Sequence, residues 1–439
     1  MDIQALKDKK VGFISLGCDK NRVDLEKIIF NIKSFGFQIV NDCTKANIII
    51  INTCSFLESS RMEAIENILE MSELKNSANL EKLIVTGCLN ELGYSDLKDS
   101  LEEVDSFVRI SDNDNIIDII ANLYGIDLHY HSTNGRILTT PNHVAYLKIS
   151  DGCNNFCSYC LIPYIRGRFK SRTIEELVEE SKILASQGVK ELTLVAQDVT
   201  KYGVDLYNKK MLVELLQQLS KINGIEWIRL LYCYPEEIDD NLILEIKNNP
   251  KILKYLDIPL QHVSDKILKS MNRRSNYLSI CNLFDKLRNE IPNIVIRTTF
   301  ILGFPDENND DFNKIIEFIK KYKLDNVGFF KYSREEGTRS YDFENQISDD
   351  VKDERLNEIS QIQYEIQNNI LQRRVGDVYS VIIDEIDDNY SIGRFYGQAP
   401  QIDGLIFIDE VLKIGEIYNI KITDYLDYDL KGELYHEHS

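Results

Sequence analysis

The sequence predicts an α/β protein with an N-terminal βαβ parallel sheet, a partial (βα)6 barrel and a small C-terminal five-stranded β-barrel of oligonucleotide-fold type. Three observations predict it. Continuous apolar runs alternate with amphipathic stretches through the first 335 residues, as in parallel sheets covered by helices. Cysteines directly follow several of these runs. Short strands separated by turn residues fill the last 65 residues. We expect domains at 1–140, 141–370 and 371–439.

The N-terminal segment predicts a β-α-β-α-β unit, with strands at 11–16, 46–51 and 82–86 and helices at 22–35 and 60–74. The middle segment repeats a βα pattern six times. Its expected strands lie at 145–149, 191–196, 227–232, 255–260, 294–302 and 326–332, and its expected helices at 173–187, 209–221, 238–248, 277–289 and 310–322. Six units are too few for a closed eight-stranded barrel, so we expect an open one with functional groups at the carboxyl ends of its strands.

The C-terminal segment begins with a polar helix expected at 349–374. Five short strands follow, expected at 378–385, 390–396, 405–411, 416–425 and 429–435. Turn residues such as Gly397 and Gly415 separate them. Five short strands in so few residues predict a small closed barrel.

Composition excludes several classes of protein. The chain has 439 residues, of which 43% are apolar, so disorder is excluded. Its net charge of −20 argues against a protein that relies on a basic surface to bind nucleic acid. The N-terminus has no apolar segment of a signal peptide, and no apolar run approaches the ~20 residues that span a bilayer. Nine cysteines in such a chain indicate a reducing cytoplasm, where thiols more often bind metals or clusters than form disulfides.

The most specific motif is a run of three cysteines, Cys153, Cys157 and Cys160, just after the first strand of the middle segment. Three thiolates within eight residues can bind three corners of a 4Fe–4S cluster and leave one iron open for a ligand. The alternative to a cluster is a zinc ion bound by these thiolates, although zinc sites favour paired Cys-x2-Cys units. Three buried core thiols are the other alternative, which the intervening polar Asn154, Asn155 and Ser158 disfavour.

This run, with Tyr159 before the third cysteine, resembles the signature of the radical S-adenosylmethionine (SAM) superfamily. The resemblance implies that SAM binds the open iron and that reductive cleavage of SAM yields a 5′-deoxyadenosyl radical. It also implies a partial βα barrel, the fold that the strand pattern predicts independently.

A second set of cysteines is dispersed: Cys18, Cys54 and Cys88 each follow an apolar strand. They are 36 and 34 residues apart, about one βαβ repeat in each case. Strands joined by single crossovers run parallel, so all three thiols are expected at the edge where open α/β sheets bind ligands. The alternative is three buried thiols that happen to end strands. Cys43, Cys233 and Cys281 lack such positions and are expected to be packing residues.

Two three-cysteine sites, the middle barrel and the small terminal barrel together resemble the methylthiotransferases over essentially the whole chain. The resemblance implies a second 4Fe–4S cluster on Cys18, Cys54 and Cys88 that takes part in sulfur delivery. It implies a terminal substrate-recognition barrel of the TRAM type. The net reaction replaces C–H by C–S–CH3, with SAM as methyl donor and, in another molecule, as radical source. No side chain is needed as a general base.

Two branches of that family compete, one acting on a tRNA adenosine (the MiaB type) and one on an aspartate β-carbon of small-subunit ribosomal protein S-twelve (the RimO type). Four segments resemble the RimO type: Ser15-Leu-Gly-Cys18-Asp-Lys-Asn21, Tyr146-Leu-Lys-Ile-Ser-Asp-Gly-Cys153, Val195-Ala-Gln-Asp-Val-Thr-Lys-Tyr-Gly203 and Tyr255-Leu-Asp-Ile-Pro-Leu-Gln-His262. Asp19 departs from the proline common in that family without changing a ligand.

Charge gives an independent argument for the RimO type. Residues 375–439 contain 4 Lys and Arg against 14 Asp and Glu, a net charge of −10. Such a surface repels phosphates and attracts a basic protein, although a merely solvated acidic face is the alternative. We therefore expect no direct tRNA binding. The resemblance further implies an electron donor such as flavodoxin or ferredoxin and a sulfur source, and a non-catalytic iron–sulfur carrier is the remaining alternative.

Several residues are candidates for binding SAM. The resemblance places Tyr159 near the adenine and Gly303 in the adenine-contact segment, while Gln197 and Asp198 end the second barrel strand in position for the methionine amino group. The alternatives are a packing aromatic, a plain turn and a helix-capping pair. Three arginines follow the cysteine run: Arg166, Arg168 and Arg172. They are candidates for binding the carboxylate of the cofactor or of the target, and the alternative is a solvated basic loop. His262 is given no chemistry, and His436 and His438 no metal site.

Overall fold

The structure, a computed structural model, describes residues 2–92 and 99–436, so that His438 lies outside the described residues. The chain divides into two compact units. The first comprises Met1–Thr139, Asp151–Asn154 and Cys160–Phe169, and the second Thr140–Ser150, Asn155–Tyr159 and Lys170–Ser439. In these described ranges, every helix is too short or too polar to cross a membrane.

The first unit is built on a parallel sheet of five strands in the order β2-β1-β3-β4-β5. The strands are β1 (Lys10–Ser15), β2 (Gln38–Ile39), β3 (Ile48–Thr53), β4 (Lys82–Gly87) and β5 (Ser106–Phe107). The three strands predicted from the sequence are therefore confirmed. The edge strands β2 and β5 have two residues each, too few to leave a pattern in the sequence.

All six residues of β3 are buried, which explains why its first four are isoleucines. Ile48 and Ile50 pack in one core with Ile28 and Ile32. Residues 49 and 51 pack in a second core on the other face of the sheet. Among the described residues of this unit, helices are formed by α1 (Ile3–Lys7), α2 (Asp19–Phe35), α3 (Glu58–Ser72), α4 (Leu74–Ser77), α5 (Ile116–Leu123) and α6 (Ile162–Ile165).

The second unit contains a parallel six-stranded sheet in the order β13-β12-β11-β10-β9-β6, which confirms the partial barrel. Its strands are β6 (Val144–Lys148), β9 (Glu191–Val195), β10 (Trp227–Leu230), β11 (Ile252–Asp257), β12 (Val295–Leu302) and β13 (Asn326–Lys331), and the two-residue strands β7 (Ser150–Asp151) and β8 (Lys170–Ser171) lie between β6 and β9 in the chain. Strand β11 begins and ends three residues earlier than predicted. It stops before Pro259, which has no N–H to donate to a neighbouring strand.

The helices predicted for the second unit are present, with ends within a few residues of the prediction. They are α7 (Ile174–Ser186), α9 (Leu212–Leu219), α10 (Asp240–Asn248), α12 (Tyr277–Glu290), α13 (Asn309–Tyr322) and α14 (Asp349–Arg374). Two short helices were not predicted, α8 (Val204–Tyr207) and α11 (Asp265–Ser270). Capping boxes fix the start of α7 at Thr173 and of α13 at Asn308, since each side chain accepts the backbone N–H three residues later.

The C-terminal strands close into a five-stranded barrel, as predicted. They are β14 (Val378–Asp387), β15 (Tyr390–Phe395), β16 (Ile406–Ile408), β17 (Ile417–Leu426) and β18 (Asp429–Leu434). Its core contains Val381, Phe395, Ile406 and Ile420, and it receives Leu371 from the last turn of α14.

A chain of buried charges joins this small barrel to the six-stranded sheet inside the second unit. Glu191 of β9 accepts a hydrogen bond of 2.7 Å from Arg229 of β10 and pairs at 2.9 Å with Arg394 of β15. Arg394 donates to Asp384 of β14 at 2.6 Å, and Asp384 contacts His143 at 2.7 Å. The small barrel and the six-stranded sheet accordingly lie in the same compact unit.

Candidate cluster and cofactor sites

The three dispersed cysteines follow neighbouring strands of the first unit's sheet. Cys54 directly follows β3, Cys88 directly follows β4, and Cys18 follows β1 after two residues, at the N-cap of α2. Parallel strands end at one edge of a sheet, which is where open α/β sheets bind ligands. Cys88 is buried, Cys54 partly buried and Cys18 exposed, so this edge extends from the core to solvent.

The three thiols are close enough to affect one another electrostatically. Burial and the neighbouring Cys18 and Cys54 together raise the pKa of the Cys88 thiol to about 11, although Arg166 opposes the shift. Burial likewise raises the pKa of Cys54, and Cys18 adds to this shift. Three soft sulfur donors crowded in this way form a donor set that suits iron.

Two glycines allow the backbone to approach closely at this edge. Gly17 has φ +104°, and a Cβ there would lie 2.9 Å from the Cβ of Cys54. Gly87 has φ +96°, and a Cβ there would lie 2.4 Å from the carbonyl oxygen of Thr53. A larger residue at either position would push the cysteine loops apart.

In the first unit, the loop of Cys153 lies against the segment that begins at Cys160. The Cys153 N–H donates to the carbonyl of Gly167 at 3.1 Å. Gly152 has φ +73°, and a Cβ there would lie 2.2 Å from the carbonyl oxygen of Arg168. Cys153 is buried and Cys160 partly buried.

In the second unit, the segment around Cys157 is held by residues 270–272, at the end of α11. The Ser158 N–H donates to the carbonyl of Met271 at 3.0 Å, and the Ser158 hydroxyl to that of Ser270 at 2.9 Å. The side chain of Asn272 donates to the carbonyls of Asn155 and Phe156. Cys157 is thereby fixed in a buried position, with its sulfur 3.8 Å from the hydroxyl of Tyr234.

Arg273 is a functional candidate that the sequence analysis did not identify. Its guanidinium stacks over the ring of Tyr234 at 4.1 Å, and its Nη2 donates to the carbonyl of Pro259 at 2.7 Å. Burial lowers the pKa of Arg273, but Tyr234, Tyr159 and Cys157 raise it above its ordinary value. Its Nε and Nη1 are buried without a hydrogen-bond partner among the described residues. Two unused donors on a buried cation fit a carboxylate ligand.

Tyr159 and Gly303 lie in one neighbourhood of the second unit. The half-buried ring of Tyr159 meets the ring of Phe304 edge to face at 6.5 Å, within an apolar cluster that includes Met271 and Tyr332. Gly303 has φ +72° and donates its N–H to both carboxylate oxygens of Glu307, at 3.0 and 3.1 Å. The aromatic and the glycine segment named from the resemblance thus lie together at the carboxyl end of β12.

Gln197 and Asp198 follow β9, and Asp198 is fully buried. Its carboxylate accepts from the N–H and hydroxyl of Thr200 at 3.2 and 2.5 Å, which is an N-capping contact. It also accepts from Asn155 in the cysteine run at 3.1 Å. Burial raises the pKa of Asp198, and these hydrogen bonds oppose that shift. Asp198 therefore contacts the cysteine run directly.

The three arginines that follow the cysteine run have different surroundings. Arg166 is buried and paired with Asp24 and Asp151 in the first unit, so it is not part of a solvated loop. Arg168 is exposed. Arg172, in the second unit, pairs with Glu180 at 2.7 Å.

In the part of the chain that the structure describes, no three His, Cys, Asp or Glu side chains converge tightly enough to enclose a single metal ion.

Family models match three parts of the chain. The Radical SAM superfamily matches residues 147–319, the uncharacterized protein family UPF0004 matches 10–109, and the TRAM domain matches 375–434. Two solved structures share the fold. A radical SAM methyltransferase, TsrM, from Kitasatospora setae aligns with a TM-score of 0.56 at 12% identity over 85% of this chain and 77% of its own. The cobalamin-dependent SAM radical enzyme OxsB aligns with a TM-score of 0.53 at 11% identity over 83% and 58%.

Three curated relatives are similar along their whole length. The ribosomal protein uS12 methylthiotransferase RimO of Acetivibrio thermocellus is 48% identical over 98% of this chain and 99% of its own. RimO of Clostridium kluyveri is 47% identical over 98% of both chains. RimO of Clostridium botulinum is 48% identical over 96% of this chain and 97% of its own.

Fold and cysteine run together define a radical SAM enzyme, the class to which a 4Fe–4S cluster and SAM belong. The sequence identity to the three relatives, which extends over nearly the whole chain, also defines the family within this class. The chain belongs to the RimO family of ribosomal protein methylthiotransferases, which confirms the resemblance seen in its motifs.

Proposed function

We propose that this chain methylthiolates the β-carbon of an aspartate in ribosomal protein uS12, using two 4Fe–4S clusters. Cys153, Cys157 and Cys160 are proposed to hold one cluster, and Cys18, Cys54 and Cys88 the other. The observations that support the proposal are that Cys18, Cys54 and Cys88 follow neighbouring parallel strands of one sheet, and that Cys153, Cys157 and Cys160 follow β6 within one short stretch of the chain. Three ligands leave one iron of each cluster free for SAM or for sulfur.

When bound, the barrel cluster and SAM supply a carbon-centred radical that removes hydrogen from an unactivated C–H bond. We propose that this chain's own residues bind and orient SAM beside the cysteine run. The carboxylate of its methionine moiety would pair with the unused donors of Arg273. Tyr159 and Gly303 would contact the adenine, and Gln197 with Asp198 the amino group. The buried surroundings of these residues exclude water from a reactive radical.

The C-terminal barrel is proposed to recognise uS12, with functional domains at 1–140, 141–370 and 371–439. Its net charge of −10 favours a basic protein over tRNA, because acidic side chains repel phosphates and steer basic partners into contact. An electron donor such as flavodoxin or ferredoxin and a sulfur source complete the proposed reaction. We propose that it takes place in the cytoplasm, where the ribosomes are.

Mass spectrometry of uS12 and of tRNA from a strain lacking this gene tests the proposal. The methylthio group should be absent from the aspartate of uS12 and present in tRNA, and expression of the wild-type chain should restore it. The Cys43→Ala chain is a matched control, since Cys43 lies at no carboxyl edge. Loss of the tRNA modification with normal uS12 would contradict the proposed substrate.

A further inference from the structure

The guanidinium of Arg166 lies beside Cys88 in the first unit. The arginine side chain is only 2% exposed. Its Nη2 is 3.8 Å from the sulfur of Cys88 and also donates to the side-chain oxygen of Asn21. That same oxygen lies 3.6 Å from the Cys88 sulfur, so the cation, the amide and the thiol form a closed triangle.

Asn21 links the triangle to the loops of the other two cysteines. It lies on the first turn of α2, which Cys18 caps. Its Nδ2 donates to the carbonyl of Thr53 at 2.9 Å, one residue before Cys54, and its own carbonyl accepts from Asn52 at 2.7 Å. The orientation of Arg166 is therefore connected to all three cysteine loops of this sheet edge.

Two carboxylates hold the other side of the guanidinium. Nη1 donates to Asp24 at 2.8 Å and to Asp151 at 3.0 Å. Asp24 lies one turn further along α2, whereas Asp151 lies two residues before Cys153. A planar fork with several N–H donors can satisfy two carboxylates and still direct a donor at the sulfur, which the single ammonium of lysine cannot do in the same geometry.

The segment that carries Arg166 is itself packed against Cys88. Leu161 and Ile165 form a small apolar cluster with Cys88. The carbonyl of Gly167, the next residue after Arg166, accepts from the Cys153 N–H. The segment around Arg166 thus contacts a cysteine of each set, and the Arg166 side chain contacts Cys88 and Asp151.

We infer that Arg166 is a positioning residue for the N-terminal cluster, which holds the Cys88 ligand in place and donates a charge-assisted hydrogen bond to its sulfur. The inference rests on the proposed function, in which Cys18, Cys54 and Cys88 hold a cluster. Hydrogen bonds to cluster sulfurs and nearby positive charge favour the reduced state, so Arg166 raises the reduction potential of that cluster. Its salt bridge to Asp151 couples this site to the loop of Cys153.

The test uses the full chain with Cys153, Cys157 and Cys160 changed to alanine, so that only the N-terminal cluster assembles. Iron content and a redox titration followed by electron paramagnetic resonance are compared for this parent and for added R166Q, R166K and R168Q. We expect equal iron in all four, a lower potential in R166Q and an intermediate one in R166K. The exposed Arg168 is the matched control and should leave the potential unchanged.

The outcomes separate the inference from the proposed function. A folded parent that binds no iron contradicts the proposed second cluster. A parent that binds iron, together with an R166Q potential equal to that of the parent, overturns only the role of Arg166. If R166Q does not fold, R166K decides: a potential equal to that of the parent overturns the inference, and a lower potential supports it.

Discussion

The two sets of three cysteines are distributed along the chain in different ways. Cys153, Cys157 and Cys160 lie within eight residues, so their proximity along the chain follows from the sequence alone. Cys18, Cys54 and Cys88 are separated by whole βαβ repeats, and only the parallel order β1-β3-β4 brings them to one edge. The difference teaches that a local site depends on its loop contacts, whereas a dispersed site depends on the register of a sheet.

Removing one ligand from each set gives the largest expected effect. Cys157→Ala should abolish formation of 5′-deoxyadenosine, because the radical cannot form without the barrel cluster. Cys88→Ala should retain SAM cleavage but yield no methylthiolated uS12, because only sulfur delivery fails. Each variant should lose about half of its iron, as one of two equal clusters is lost. Chromatography of the nucleoside, mass spectrometry of uS12 and iron analysis check these outcomes.

Cys43→Ala serves as the control and should keep both products and all iron. The two sites would not have separate roles if Cys88→Ala also stopped SAM cleavage while keeping the barrel cluster.

Substitution of Arg273 is expected to have a smaller effect, on the affinity for SAM. Arg273 lies in the second unit, near Cys157, and is absent from the surroundings of Cys18, Cys54 and Cys88. Arg273→Gln removes the cation while Tyr234 remains in place. SAM binding should weaken by about 2 kcal/mol, roughly 30-fold, the typical contribution of a hydrogen bond to a charged group. Equilibrium binding of SAM to the reconstituted enzyme measures this change.

The neighbouring Arg274→Gln is the matched control, because Arg274 is 63% exposed and pairs with Glu237 only at 3.8 Å. Equal affinities of the two variants would remove Arg273 from the cofactor site. The iron of the N-terminal cluster should be the same in both.

The smallest effect on chemistry is expected from Glu191→Gln, which changes the stability of the second unit. Although burial opposes ionisation, Arg394 and Arg229 hold the pKa of Glu191 below its ordinary value of 4.5. A lowered pKa means that the ionised carboxylate stabilises the folded state above pH 4.5 and loses this effect as the pH falls through the lowered pKa. Breaking the buried pair should cost about 3 kcal/mol at neutral pH.

Denaturant unfolding of wild type and variant at several pH values measures this difference. The difference in the free energy of unfolding between wild type and variant should be constant near neutral pH and should decrease only in acid. Glu179→Gln is the control, since Glu179 forms an exposed pair with Lys182 at 3.8 Å and should change little. If Glu191→Gln also lost the N-terminal cluster, the stability of the first unit would depend on that of the second unit.

Much of the fold was predictable because its signals are local. The buried strands of both parallel sheets and helix 349–374 were found from apolar runs and helical spacing. The edge strands β2 and β5 were missed because two residues carry no period. The prediction for β11 was displaced by three residues because the apolar run continues through Pro259, where pairing stops.

The residues around the cysteines were harder to predict. Arg273 lies in the connection between β11 and α12, and this position on the carboxyl side of a strand was the one available signal. Arg166 looks like a member of a basic loop, and its partners Asn21 and Asp24 lie more than 140 residues away. No pattern in the sequence connects such positions.

The α/β class, the cysteine run and the negative charge of the last 65 residues follow from residue type and spacing along the chain, so they are readable without a structure. The position of Arg166 beside Cys88 and the two buried, unused donors of Arg273 became visible only in the folded chain. The folded chain also shows that the small barrel and the six-stranded sheet lie in one compact unit. Side-chain contacts between distant residues are fixed by packing and burial, which local spacing does not encode.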